Sequence, residues 1–77
     1  MHELALMEDL VNAVTSEVGE AVVHVVRLEV GRLACASPHS LRFCFEICTH
    51  GTALEGAALD IVETNGDELR LKEIEVT

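Results

Sequence analysis

The sequence predicts an α+β domain in which two helices cover one face of a three-stranded mixed sheet, in the order α-β-α-β-β. Two observations carry this prediction. Apolar residues recur at three- and four-residue steps in two segments, and they alternate with polar residues in three others. The chain is 77 residues long and has no internal repeat, low-complexity run or linker. We therefore expect one small domain, residues 1–77, with a single aliphatic core.

The first helix is predicted over residues 4–18. Acidic residues fill its first turn, where they complement the helix dipole, and Gly19 is a suitable C-cap. The apolar residues that share one face are Leu4, Met7, Leu10, Val11, Val14 and Val18.

The second helix is announced by Ser37 as N-cap and Pro38 at the first helical position, and Gly51 ends it. Its buried stripe comprises Leu41, Cys44, Phe45 and Cys48.

The three strands follow from period-two alternation over residues 22–33, 57–63 and 69–76. A right-handed crossover through the second helix would make the first two strands parallel. Asn65-Gly66 between the last two segments predicts an antiparallel hairpin with its turn at residues 64–67 and positive φ at both turn positions. The apolar phase slips between Leu71 and Ile74. A bulge near Lys72-Glu73 would restore one apolar face, and the alternative is a strand covered in part on both sides.

Composition excludes several classes of function. Five basic against 14 acidic residues give a net charge of −9, which repels nucleic acid and anionic membrane surfaces. No apolar run approaches the roughly 20 residues of a membrane span, and the start lacks the basic leader and apolar run of a secretory signal. Three cysteines without framework spacing indicate reduced thiols. We expect a cytoplasmic protein.

The strongest chemical candidate is the opening tripeptide Met1-His2-Glu3. The Met1 amine, the backbone amide and the His2 imidazole can close fused chelate rings on one divalent cation, with the Glu3 carboxylate in reach. Planar nitrogen ligation suits Ni(II) or Cu(II) better than tetrahedral zinc. Because an α-amine with a pKa of about 7.7–8.0 must lose its proton, affinity should rise with pH. The competing interpretation is an ordinary frayed end, but the helix begins at once and holds the tripeptide.

The remaining candidates are weaker. His24 is most simply a polar strand position, His39 a solvated helix residue and His50 a cation at a helix C-terminus. Cys44 and Cys48 have a spacing that can hold a metal, although small core residues are the simpler interpretation, and Cys35 stands alone. No nucleophile with a base, and no phosphate-binding glycine loop, can be assembled from neighbours. We do not expect an enzyme.

In element order and in several blocks the chain resembles the HypA/HybF family of nickel-insertion proteins of hydrogenase maturation. The blocks that carry the resemblance are residues 1–6, 26–31, 41–46, 51–59 and 68–76. It implies a nickel metallochaperone that delivers Ni(II) to the large subunit of [NiFe]-hydrogenase with a GTPase partner, HypB, and in some organisms serves urease maturation. It also implies nickel ligation by Met1, His2 and Glu3. Some members add an acidic residue just before the second helix, where this chain has Ser37-Pro38-His39, so His39 is a possible stand-in.

One departure from the family pattern is large. Family members carry a zinc module with two Cys-x-x-Cys pairs between the second and third strands, whereas this chain passes from Glu63 through residues 64–67 to Glu68 and has no Cys-x-x-Cys. We interpret this as an engineered deletion, with a natural zinc-less relative as the alternative, and expect no zinc cofactor.

Two other classes of function compete with the nickel metallochaperone. One is a protein-interaction module whose acidic surface docks a maturation GTPase, and the other is a minimised scaffold retained for its fold. We expect a monomer or a dimer paired through a sheet edge.

Overall fold

A computed structural model describes residues 3–77 of the protein and contains five elements in the predicted order. They are α1 (Glu3–Val18), β1 (Val23–Gly31), α2 (Pro38–Thr49), β2 (Ala58–Thr64) and β3 (Leu69–Val76). The α+β class and the α-β-α-β-β order are confirmed. Within residues 3–77, none of the helices combines the length and apolar character that crossing a bilayer requires.

The sheet is mixed and has the order β2-β1-β3. The first two strands, β1 and β2, are joined through α2 and pair in parallel, as predicted. The predicted hairpin is wrong, because β3 pairs antiparallel with β1 and lies at the opposite edge from β2. Positive φ values occur at Gly19, Cys35, Gly51 and Gly56 in the described part of the chain, and not at Asn65 or Gly66.

Residues 65–68 cross the end of β1 instead of folding β3 back onto β2. Gly31 N donates to Glu68 O at 2.7 Å and Leu33 N donates to Gly66 O at 2.9 Å, so the crossing segment is fastened to β1. A Cβ at Gly31 would overlap the carbonyl group of Gly66. Gly31 is therefore the residue that lets the backbone pass this closely.

Two irregularities keep the apolar side chains on the helix-covered face. Arg27 pairs with Glu73 while Leu28 pairs with Leu71, which leaves Lys72 as the extra residue and confirms the predicted bulge. A second register shift lies between Val23 and Val25 of β1. As a result the apolar residues of β3 stand opposite those of β1, in the pairs Val30–Leu69, Leu28–Leu71, Val26–Ile74 and Val23–Val76.

The core lies between the two helices and this face of the sheet. Burying an aliphatic side chain contributes about 1.5–3 kcal/mol, so the buried set supplies most of the stabilisation. Its members are Met7, Val11, Val14, Val23, Val26, Leu28, Val30, Leu41, Phe45, Leu54 and Leu59. Cys44 and Cys48 are partly buried and pack against this cluster.

The start of α2 is fixed as predicted. Ser37 is the N-cap, and its hydroxyl oxygen accepts a hydrogen bond from Ser40 N at 3.4 Å, while Pro38 occupies the first turn. The helix ends at Thr49, and Gly51 follows with φ of +78°.

Candidate functional site

The structure describes the candidate metal site from its third residue onward. Met1 and His2 lie outside the described residues, so their contribution to metal binding stays a prediction. Glu3 is the first residue of α1 and is partly buried. What the structure adds is the setting of Glu3.

Glu3 joins the two helices at their beginnings. Its Oε2 accepts a hydrogen bond from Ser37 N at 3.2 Å. Ser37 is the N-cap of α2, where the positive end of the helix dipole favours a carboxylate. Glu3 thus fixes the first residue of α1 against the first turn of α2.

His39 lies on the first turn of α2, two residues after Ser37, and is exposed. Because Glu3 is bonded to Ser37, the structure brings the start of α1 to the segment that carries His39. The other two described histidines, His24 and His50, contact other residues. His24 Nε2 lies 2.9 Å from Thr77 Oγ1, and His50 Nδ1 lies 3.1 Å from Glu55 Oε2 at the C-terminal end of α2.

Cys48, near the C-terminal end of α2, contacts the first turn of α1. Its Sγ lies 3.9 Å from the Leu4 carbonyl oxygen. Burial raises the pKa of the Cys48 thiol, and the nearby Glu8 carboxylate and Cys44 raise it further, so the thiol is protonated at neutral pH. Among residues 3–77, no three His, Cys, Asp or Glu side chains converge in a way that could hold a metal ion.

The uncovered face of the sheet is dominated by one basic residue. Arg27 donates to Asp60 at 2.7 Å, Glu73 at 2.6 Å and Glu75 at 2.9 Å. These carboxylates raise the pKa of Arg27 above its usual range, with the Asp60 hydrogen bond as the largest cause. Three acids on one guanidinium leave this cluster with a net negative charge.

Sequence reasoning missed the contacts Glu3–Ser37 and Cys48–Leu4. They span 34 and 44 residues of chain, and no local pattern reports such pairs. Arg27 could have been found, since the alternation in β1 places it on the face opposite Val26 and Leu28.

Comparison with known proteins gives the family. Residues 1–69 match the model of the family described as HypA, hydrogenase/urease nickel incorporation, metallochaperone. A hydrogenase maturation factor HypA of Nostoc punctiforme is 47% identical over 66 residues, which cover 86% of this chain and 58% of that protein. The corresponding protein of a Bradyrhizobium species is 45% identical over 69 residues, covering 86% and 61%. The chain thus spans about three fifths of the length of these relatives.

A solved structure shows the same fold. The solution structure of the Ni metallochaperone HypA from Helicobacter pylori superposes with a TM-score of 0.82 at 18% identity, covering 99% of this chain and 97% of that one. The fold therefore agrees with the family that the sequence matches indicate. On these grounds the chain belongs to the HypA family of hydrogenase and urease nickel-incorporation metallochaperones.

Proposed function

We propose that this chain binds Ni(II) at its N-terminus, through the Met1 amine, the backbone amide and the His2 imidazole, with Glu3 in reach. Nickel is cargo here and not a resident cofactor. The proposal rests above all on the tripeptide Met1-His2-Glu3 standing inside the region matched to a nickel-incorporation family. The Glu3–Ser37 hydrogen bond supports it, because it anchors the residue that follows the chelating atoms.

His39 is the proposed additional ligand. It lies on the helical turn to which Glu3 is tied, and its imidazole is exposed to an approaching ion. Imidazole nitrogen is a ligand that suits nickel. No zinc cofactor belongs to this proposal, because the chain has no Cys-x-x-Cys pair. Residues 64–67 are proposed to stand where the zinc module of longer family members is inserted.

The proposed role is delivery to [NiFe]-hydrogenase, with a maturation GTPase such as HypB and the hydrogenase large subunit as partners. Urease maturation proteins are further candidates, since the family description includes urease. The chain would act by binding and transfer and not as an enzyme. A cytoplasmic site of action fits its three free cysteines, which suit a reducing compartment.

The test is a nickel titration of tag-free protein that begins with Met1, followed by absorbance and by intact mass of the same sample. We expect about one nickel per chain with the absorbance of planar nitrogen ligation. His2→Ala, or an N-terminal extension, should abolish it. His24→Ala is the matched control, since His24 follows the far end of α1, a helix about 24 Å long. Absence of nickel from the unmodified protein would sink the proposal.

The interaction-module alternative gains one observation. Phe43 and Ile47, four residues apart on α2, are 62% and 50% exposed, and Leu4 of α1 is 45% exposed. Leu4 and Ile47 line one surface pocket, and Phe43 and Ile47 line the next. Exposed apolar patches of this kind mark partner contacts. If docking is the function, Phe43→Ser should weaken binding to the GTPase whereas His2→Ala should not; the reverse result favours the nickel site.

A further inference from the structure

The two cysteines on α2 lie where one metal ion could reach both. Positions four apart on a helix have Cβ atoms about 5–6 Å apart on the same face. Two metal–sulfur bonds of about 2.3 Å each join sulfur atoms at most about 4.6 Å apart, a separation within reach of two side chains whose Cβ atoms are this close. Cys44 and Cys48 are both partly buried, both unpaired by any disulfide, and close enough for one thiol to shift the pKa of the other.

The surroundings of Cys48 supply access and an attraction for cations. A surface pocket of about 280 Å³ is lined by Leu4, Glu8, Val11, Asn12, Ile47 and Cys48. The Leu4 carbonyl oxygen lies 3.9 Å from Cys48 Sγ, and the Glu8 carboxylate lies in the same pocket. Cys48 therefore lines this pocket together with Glu8, whereas Cys44 does not line it.

We propose that Cys44 and Cys48 form a two-sulfur site for a soft monovalent ion of the Cu(I) type, separate from the nitrogen ligands of the N-terminus. Thiolates select soft ions such as Cu(I). Tetrahedral zinc is a poor fit, because it needs four ligands and no third His, Cys, Asp or Glu converges here within residues 3–77. The number of sulfurs thus favours an ion that accepts two ligands.

The binding step is a proton-for-metal exchange. Two S–H bonds break, two sulfur–metal bonds form, and both protons pass to solvent. No electron is transferred, and the ion keeps its +1 state. The resulting bis-thiolate complex carries one negative charge, beside Glu8, so its stability comes from the metal–sulfur bonds.

The experiment uses Ag(I) as a redox-inert probe and Cu(I) as the second ion, each titrated into the full chain under reducing, oxygen-free conditions. Thiolate-to-metal absorbance and native mass report the number of ions bound. We expect one tight equivalent, lost in Cys44→Ser and equally in Cys48→Ser. Cys35→Ser is the matched control and should keep it, because Cys35 is exposed in the β1–α2 connection.

Two further arms keep the result interpretable. Cys44→Ala and Cys48→Ala, with circular dichroism, show whether loss of binding reflects the missing sulfur or a disturbed fold. His2→Ala should retain the silver equivalent, which separates this site from the N-terminal one. Retention of the tight equivalent by the Cys44→Ser/Cys48→Ser double variant overturns the proposal. So does the binding of two equivalents of which each single variant removes only one.

Discussion

Glu3 and Ser37 hold the beginnings of the two helices together, with Glu3 Oε2 accepting from Ser37 N at 3.2 Å. One carboxylate thereby belongs to the first turn of α1 and to the N-cap of α2. The same residue is the one described member of the tripeptide that is proposed to hold nickel. Stability and the proposed nickel binding would consequently be linked at this position.

Replacing Glu3 by alanine should destabilise the domain by about 0.5–1.5 kcal/mol, the usual net contribution of one hydrogen bond. The free energy of unfolding in urea measures this. Glu20→Gln is the control, since Glu20 is exposed and lies outside both helices. Equal stability of the Glu3 variant and the control would show that the bond to Ser37 contributes nothing.

Gly31→Ala should cost about 1–3 kcal/mol, because its added methyl group would overlap the Gly66 carbonyl. Gly66→Ala is the matched comparison. Its Cβ would meet only the carboxylate group of Glu68, with Oε1 2.6 Å away, and this group is the far end of a flexible side chain. Thermal unfolding of both variants checks the order, and a larger loss at Gly66 would contradict the described crossing of β1.

Acid should weaken the crossing segment through Glu68. The Thr64 hydroxyl donates to Glu68 Oε1 at 2.6 Å and holds the pKa of this carboxyl below its ordinary value of 4.5. A carboxyl with a depressed folded-state pKa stabilises the protein above its unfolded-state pKa, and this stabilisation is lost as pH falls through the folded-state value.

Thr64→Val should therefore lower the midpoint of urea unfolding at pH 7. The midpoint of the variant should also fall less than that of the unmodified protein between about pH 5 and about pH 3, the range in which carboxyl groups titrate. Thr52→Val provides the contrast. Thr52 bonds backbone groups and no carboxylate, so its loss should be the same at both ends of this range. An unchanged acid slope in Thr64→Val would count against the Glu68 contribution.

His39→Ala should weaken nickel binding by about tenfold, or about 1.4 kcal/mol, if His39 is a ligand. His2→Ala should remove binding altogether, because the chelate loses its imidazole. Isothermal titration separates the two effects. His50→Ala, at the other end of α2, should leave the affinity unaltered. If His39→Ala behaves like His50→Ala, His39 is only a solvated residue.

Zinc should be dispensable. We expect a chelator to leave the thermal midpoint unchanged, because structural zinc sites use four ligands of the Cys₄ or Cys/His kind and this chain has no Cys-x-x-Cys pair. A family member that carries two such pairs is the positive control. A fall in the midpoint of this chain on chelation would show a structural metal that the sequence did not predict.

The features that sequence predicted best are local ones. Ser37-Pro38 specifies the start of α2 through bonds within four residues, and the phase slip around Lys72 specifies the bulge because one face of β3 must be apolar. Asn65-Gly66 misled for the opposite reason. A turn signal reports only that the chain changes direction between two strands. It does not report which strand the second one pairs with, and here β3 pairs with β1 instead of β2.

The candidate site divides in the same way. The chelating tripeptide is visible in three consecutive residues, but its anchor is not, since Glu3 and Ser37 are 34 positions apart. Gly31 could have warned that another backbone passes close by, although a strand-ending glycine alone does not say which one. Met1 and His2 lie outside the described residues, so their chemistry rests on the sequence and the family.

The central place of β1 has a consequence for how this architecture can grow. Both outer strands pair with β1 and not with each other. A segment inserted between Thr64 and Leu69 would therefore break none of the strand pairings of the sheet. Such an insertion would begin beside Gly31. The start of α2 lies at the same end of the domain, and so does the Glu3 carboxylate that is bonded to Ser37. Any lobe added there would lie at the same end of the domain as Glu3, the described residue of the proposed nickel-binding tripeptide.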